Sequence, residues 1–250
     1  MPPSALPKIE LAAHNNAVWC DSVCRAHGVP GEFHGAVWLN RHMPPPYHSN
    51  LVVMAAAATQ RVVVAHVHDL MALRLAPDWS VKDSFCALDL AAEGFGLLFE
   101  AAWIWAEPAA GRVPSGPAGL RWSGVTAAAD LARWNAAWAG AAGNAAASGG
   151  PAQFPASLLA DPQIVFLAGS QGPEIVAGGI ANRTGDVVGL SNVFVNGVDE
   201  AAAWRGLVGA ARGACPGLPL VGYEHGPGLA RAHACGFEAL GPLRVWQRRG

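Results

Sequence analysis

Charge is scarce in this chain: Asp, Glu, Lys and Arg make up 14% of its 250 residues, and the formal net charge is −2. That balance provides no basic face for a nucleic-acid backbone and excludes electrostatic attraction as the basis of partner choice. Long apolar runs are missing as well. The longest, Leu51 to Ala58, falls far short of the roughly 20 residues that span a bilayer, so no membrane partner is expected. Met1 to His14 holds three prolines and no uninterrupted apolar core, so it does not read as a secretory leader. Cysteine is sparse and odd in number: Cys20, Cys24, Cys86, Cys215 and Cys235. Without paired Cys-x-x-Cys spacing they argue against a disulfide framework or zinc ribbon, and a reducing, cytoplasmic setting is expected. Gly-x-Ser-x-Gly, a phosphate-loop Gly-Lys-Ser/Thr and His-Glu-x-x-His are all absent, which removes three well-known enzyme readings.

What the chain has in quantity is apolar surface, with 52% hydrophobic residues and ten tryptophans. One or two domains with a sizeable core are expected, and the tryptophans, at helical and strand-end positions, read as core filling. The segment Glu107 to Gly119 is rich in Pro, Gly and Ala and has no periodicity, which marks a linker. The expected organisation is an N-terminal half over residues 1–106, a linker over 107–119 and a C-terminal domain over 120–250. Gly140 to Pro151 reads as a second, mobile loop.

Before the linker, spacing predicts a helix over Leu11 to Gly28, strands over Phe33 to Leu39 and Ser49 to Met54 around a Pro-rich turn, and a helix over Ala57 to Leu73. A short helix from Ala87 to Glu93 and a strand over Leu97 to Trp105 follow, with a further strand near Trp79 to Phe85. After the linker come a strand over Leu120 to Val125 and a helix over Asp130 to Trp138 capped by Thr126 or Asp130. A meander of Ile164 to Ala168, Glu174 to Asn182 and Val187 to Val195 follows, then a helix over Glu200 to Gly213. A strand over Leu218 to Tyr223, a helix over Gly228 to Cys235 and a strand over Leu243 to Gln247 close the chain. The class is α/β with a mixed sheet. His42 and His48 flank the proline run and are expected to face water, and His233 reads as a partly buried helix residue. His66 and His68 diverge on a helix, so no metal ligation is expected.

Sliding the chain by 142 residues aligns Gly35–Phe95 with Ala177–Phe237 without a gap. Asn40-Arg41 then meets Asn182-Arg183, Ser49-Asn50 meets Ser191-Asn192, and Gly94-Phe95 meets Gly236-Phe237, each pair at the same structural event. A duplication is expected.

The second half, with its run Leu220-Val221-Gly222-Tyr223 and, later, Ala232-His233-Ala234-Cys235-Gly236-Phe237, resembles the GNAT N-acyltransferases. Through the repeat, residues 10–106 share the likeness. The resemblance implies two GNAT-like halves and an acetyl-CoA or other acyl-CoA co-substrate whose acyl group passes to a small-molecule or peptide amine. It also implies that the ligand's pantetheine runs beside Ser191 to Val195 and its diphosphate meets the following loop and helix start. The implied cofactor residues are Val193, Phe194, Val195, Asn196, Gly197, Ala201 and Ala203. Two departures stand out: Asp199-Glu200 is acidic where the family has Gln or Arg, and Ala232 occupies the position of the tyrosine acid. Tyr223, Glu224 and His225 are the expected proton-transfer residues by place and chemistry. A catalytically inactive ligand- or protein-binding member is the alternative.

Overall fold

The computed structural model describes residues 5–75, 78–108, 120–141 and 152–249. In chain order the elements are α1 (Ala5–Ala26), β1 (Glu32–His34), β2 (Val37–Leu39), β3 (Leu51–Val53), α2 (Gln60–Ala72), β4 (Ser80–Asp83), β5 (Phe95–Ala106) and β6 (Arg121–Val125). They continue as α3 (Ala128–Ala139), β7 (Ile164–Gln171), β8 (Glu174–Thr184), β9 (Val187–Val195), α4 (Glu200–Ala214), β10 (Leu220–Glu224), α5 (Gly226–Ala234) and β11 (Glu238–Arg248). The linker expected at 107–119 lies outside the described residues except for Glu107 and Pro108; the loop expected at 140–151 does so except for Gly140 and Ala141. Two compact units result, one of Met1–Trp103, Tyr223–Gly226 and Ala239–Gly250, the other of Ile104–Gly222 and Pro227–Glu238.

In the first unit the strand order is β1-β2-β3-β4-β11-β5. The strand expected over Phe33 to Leu39 is two strands, because Gly35, at φ +57°, turns the chain back and pairs His34 with Val37. β3 runs antiparallel to β2 and parallel to β4, and β11, from the end of the chain, pairs antiparallel with β4 through Val245↔Lys82 and Trp246↔Val81. Alternation sorts the side chains between two layers. Val37, Leu39, Leu51, Val53 and Val81 join Val63, Val67 and Leu70 of α2, while Trp38 and Val52 join Ala17, Cys20 and Cys24 of α1. In place of the helix expected from Ala87, one 3-10 turn forms at Ala91–Glu93. The preceding segment instead wraps the buried Asp83 carboxylate, which accepts N–H bonds from Phe85, Ala87 and Leu88.

His48 contradicts its expected exposure. It is buried, its Nδ1 lies 2.9 Å from the Pro46 carbonyl, and its backbone N–H donates to the Pro45 carbonyl at 3.3 Å. Burial, opposed by that carbonyl and aided by the Lys82 charge, pushes its ionisation down from 6.5 to about 4. Eight of the ten tryptophans are buried, and Trp122 and Trp246 are partly so, as core filling requires.

In the second unit the order is β10-β9-β8-β7-β6, antiparallel except for the parallel β9–β10 pair. On one face α3 brings Trp134 edge-on to Phe154, Phe166 and Phe194, at centroid distances of 5.1–5.5 Å. On the other, Trp204, Leu207, Val208 and Ala211 of α4 pack with Leu167, Ala181, Val188 and Leu190, joined by Ala232 and Phe237. Neither Thr126 nor Asp130 caps α3. Its N-cap is Ala127, and Asp130 lies inside the first turn, where its charge meets the positive helix end. His233 is exposed, with Nδ1 3.0 Å from the Phe237 carbonyl at the C-terminus of α5. No helix among the described residues is long and apolar enough to cross a membrane.

Adding 142 to element bounds aligns the two halves of the chain. The bounds of α2 become 202–214, within α4; those of β3 become 193–195, at the end of β9; those of β4 become 222–225, over β10; and those of β5 become 237–248, over β11.

Candidate active site

In the second unit β9, which lies between β10 and β8, is irregular in two ways. Against β8 the register passes from Ile180↔Ser191 to Gly178↔Phe194, so that Asn192 and Val193 together oppose Gly179, and Asn192 takes φ +52°. Such a bulge bends the strand and withdraws part of its backbone from the ladder. Against β10 the parallel register covers Leu220↔Val188 and Val221↔Gly189, and Ser191–Val195 continues past it. Gly222 follows the last pair. A Cβ there would lie 2.8 Å from the Leu190 carbonyl oxygen, so only glycine lets the strands approach this closely.

The side chains expected to line a cofactor serve partly as anchors. Phe194 is buried against Trp134, and Val193 packs on the core beneath α4. Asn196 donates from its backbone to the Val176 carbonyl at 2.7 Å and from its side chain to the Ala137 carbonyl at 2.9 Å, which ties the strand end to α3. Val195 pairs with Ala177, and Gly197 makes the turn at φ +69°. Asp199 caps α4, its Oδ1 accepting the Ala202 N–H at 2.5 Å, and Ala201 and Ala203 lie in the first turn. The cap therefore occupies one of the amides that an anion at this helix end would use. Glu200 forms an ion pair with Arg231 of α5, so its charge is partly balanced. Arg231 is a site residue that spacing did not indicate, because the contact joins two helices 31 positions apart. Gly206 lies inside α4 under Trp122, where a Cβ would come 2.1 Å from Nε1; its role is packing.

Tyr223 and Glu224 are in β10 itself, and His225 precedes α5; all three belong to the first unit, whereas the seven expected cofactor residues belong to the second. Tyr223 is set edge-to-face on Trp103 at 5.6 Å, and His225 lies beside Phe99 at 5.6 Å. The Tyr223 hydroxyl accepts from the buried Lys82 ammonium at 3.3 Å, a contact between residues 141 positions apart. All five cysteines are free thiols. Burial pushes each one up, Cys86 to about 11 and Cys24 to about 12, so none is a thiolate ready for acyl capture at neutral pH.

No protein-family model matches the chain, and no curated protein matches it by sequence. Solved structures do match. A GCN5-related N-acetyltransferase from Kribbella flavida superposes with a TM-score of 0.60 at 12% identity, covering 96% of both chains. A tandem GNAT protein from the clavulanic acid biosynthesis pathway gives a TM-score of 0.55 at 14% identity over 94% of each chain. A GCN5-related N-acetyltransferase-like protein from Streptococcus suis gives 0.55 at 12% identity, over 98% of this chain and 100% of the other. The chain has the GNAT fold. Within that fold the bulge at Asn192 lies near the end of β9, and the start of α4 follows it in the second unit.

Proposed function

We propose that the protein is an acyl-CoA-dependent N-acyltransferase of the acetyltransferase type, acting on an amine by direct attack on the thioester. The observation that carries this reading is the bulge that sets Asn192 and Val193 opposite Gly179 near the end of β9, a strand followed by the start of α4, in a GNAT fold. The pantetheine arm would run along Val193–Val195, and backbone N–H groups there would hold the oxyanion as it forms. Asn196, Gly197, Ala201 and Ala203 would meet the diphosphate, with Arg231 near the same helix end. Tyr223, Glu224 and His225 continue the strand past Gly222 and are the candidates for proton transfer. The absence of an activated thiol favours direct attack over an acyl-cysteine intermediate.

We read the chain as a duplication, residues 1–106 and 120–250 about a linker, because the element bounds correspond at one shift of 142. Calorimetric titration of the full chain with acetyl-CoA and with CoA tests the reading. Saturable binding of one equivalent is expected, and no heat with either ligand at millimolar concentration would sink it. The second reading, an inactive ligand- or protein-binding member, is favoured by Ala232 in place of an acid and by the Asp199 cap. Under that reading acetyl-CoA would bind without any release of free thiol across a panel of amines.

A further inference from the structure

We propose that the first unit carries a binding site for the carboxylate of a small organic acid, with Lys82 at its floor and Asn16 and Tyr223 at its rim. All three residues belong to this unit, and the site stands independently of the acyltransferase reading. Lys82 is 4% exposed, and its ammonium donates to Asn16 Oδ1 of α1 at 2.7 Å and to Tyr223 Oη at 3.3 Å, while standing 4.3 Å from the centre of the tyrosine ring. No carboxylate pairs with it among the described residues. The buried acids are engaged elsewhere, Asp83 by the N–H groups of Phe85, Ala87 and Leu88, and Asp21 by Arg25, the Gly31 N–H and the Trp38 indole. Two buried titratable groups that feel the Lys82 charge, Cys20 and His48, offer no compensation. Burial pushes the thiol up and the imidazole down, which leaves both neutral at pH 7. A buried ammonium without a counter-charge costs stability, and an apolar side chain of similar length would serve the fold as well or better. The charge therefore points to an anion from outside the chain.

The hydrogen-bonding capacity left at this point is donor-only. The ammonium has a third N–H, and the Asn16 amide presents its NH2 because its oxygen is taken by Lys82. The Tyr223 phenol accepts from the ammonium and has its own proton to give. A carboxylate is the matching group. It only accepts, its two oxygens take the ammonium and phenol protons together, and its single charge neutralises the one ammonium. A phosphate dianion would leave a negative charge over, in a place where uncompensated charge is costly. Trp103, edge-to-face at 5.6 Å, fixes the phenol ring. Asn16 and Tyr223 are both partly exposed, so the ammonium lies one side chain below solvent, within reach of the slim end of a ligand.

The test uses the full chain with acetate as the probe, and chloride and inorganic phosphate at equal ionic strength as controls. Carbon-13 labelling at Cζ of the two tyrosines gives one signal for exposed Tyr47 and one for Tyr223. Acetate should move the Tyr223 signal saturably, leave that of Tyr47 in place, and raise Tm by about 3–5 °C near saturation. Chloride and phosphate should do neither. K82M should abolish both responses while raising the ligand-free Tm by about 3 °C, because it removes an uncompensated buried charge. K82R should keep the acetate response. A Tyr223 signal that acetate does not move, or moves no more than chloride or phosphate does, overturns the inference whatever the variants do. So does a response that survives in K82M, or a K82M chain that loses stability or fails to fold, since the ammonium would then hold the fold together and not await a ligand. None of these outcomes bears on acyl-CoA binding, which calorimetry reads separately.

Discussion

Each unit contains one parallel strand pair, β3–β4 in the first and β9–β10 in the second, and the two pairs differ. In the first, β3 and β4 pair through Leu51↔Val81 and Val52↔Lys82, and Ser80 Oγ donates across to Ser49 Oγ at 3.1 Å. In the second, β9 and β10 pair through Val188↔Leu220 and Gly189↔Val221, nearer the start of β9. Shifted by 142, Ser49 falls on Ser191 and Ser80 on Gly222. At this shift a glycine stands at the position of Ser80, and the Ser191 hydroxyl is buried without a partner. Gly222 carries no hydroxyl for a cross-strand bond, and its lack of a Cβ lets β10 lie close against the Leu190 carbonyl.

The largest effect expected from testing this comparison is at the second unit's aromatic centre. Trp134→Ala should cost about 3–5 kcal/mol. Hydrogen exchange should rise in α3 and β7–β9 but not in α2 and β2–β3; a uniform rise would mean that the units do not open separately.

Next comes an acid sensitivity specific to the first unit. The folded ionisation of His48 is depressed from 6.5 to about 4, so the unfolded chain takes up a proton first as pH falls. Its contribution is complete above pH 6.5 and is lost between 6.5 and 4, with a magnitude of about 3 kcal/mol. His48→Gln should flatten the fall in Tm across that window, and an unaltered pH dependence would show that the ring titrates normally.

Smaller again is the effect at Gly222, where β10 lies close against β9. Gly222→Ala places a Cβ 2.8 Å from the Leu190 carbonyl and should cost about 1–3 kcal/mol, with CoA affinity falling about tenfold or more. Ser80→Ala, its counterpart, should cost about 1 kcal/mol and leave CoA affinity unchanged. Equal effects of the two on CoA would erase the distinction between the units. The smallest change is at the start of α4. Glu200→Gln releases Arg231 and should tighten CoA about fivefold, more at low salt. Affinity that ignores both charge and ionic strength would mean that the diphosphate lies elsewhere.

Most of the second unit was legible because its signals are local. The β7–β9 meander has turn residues at Gly185-Asp186, and α4 has an Asp cap and a three-to-four spacing of Trp204, Leu207, Val208 and Ala211. The first unit was less so, since Gly35 breaks one apparent strand and Asp83 replaces a helix by a coil. His48 was misread because polarity in a Pro-rich stretch suggests a solvated loop, while burial depends on what folds over it.

The sequence by itself determined most of the element types, the α/β class and the 142-residue correspondence, which follow from periodicity, turn chemistry and self-comparison along one chain. Only the tertiary structure decided that β11 enters the first unit's sheet beside β4, that Lys82 meets Tyr223, and that Arg231 meets Glu200. Strand partners, buried charges and ion pairs between distant residues are settled by packing in three dimensions, which no spacing in the chain encodes.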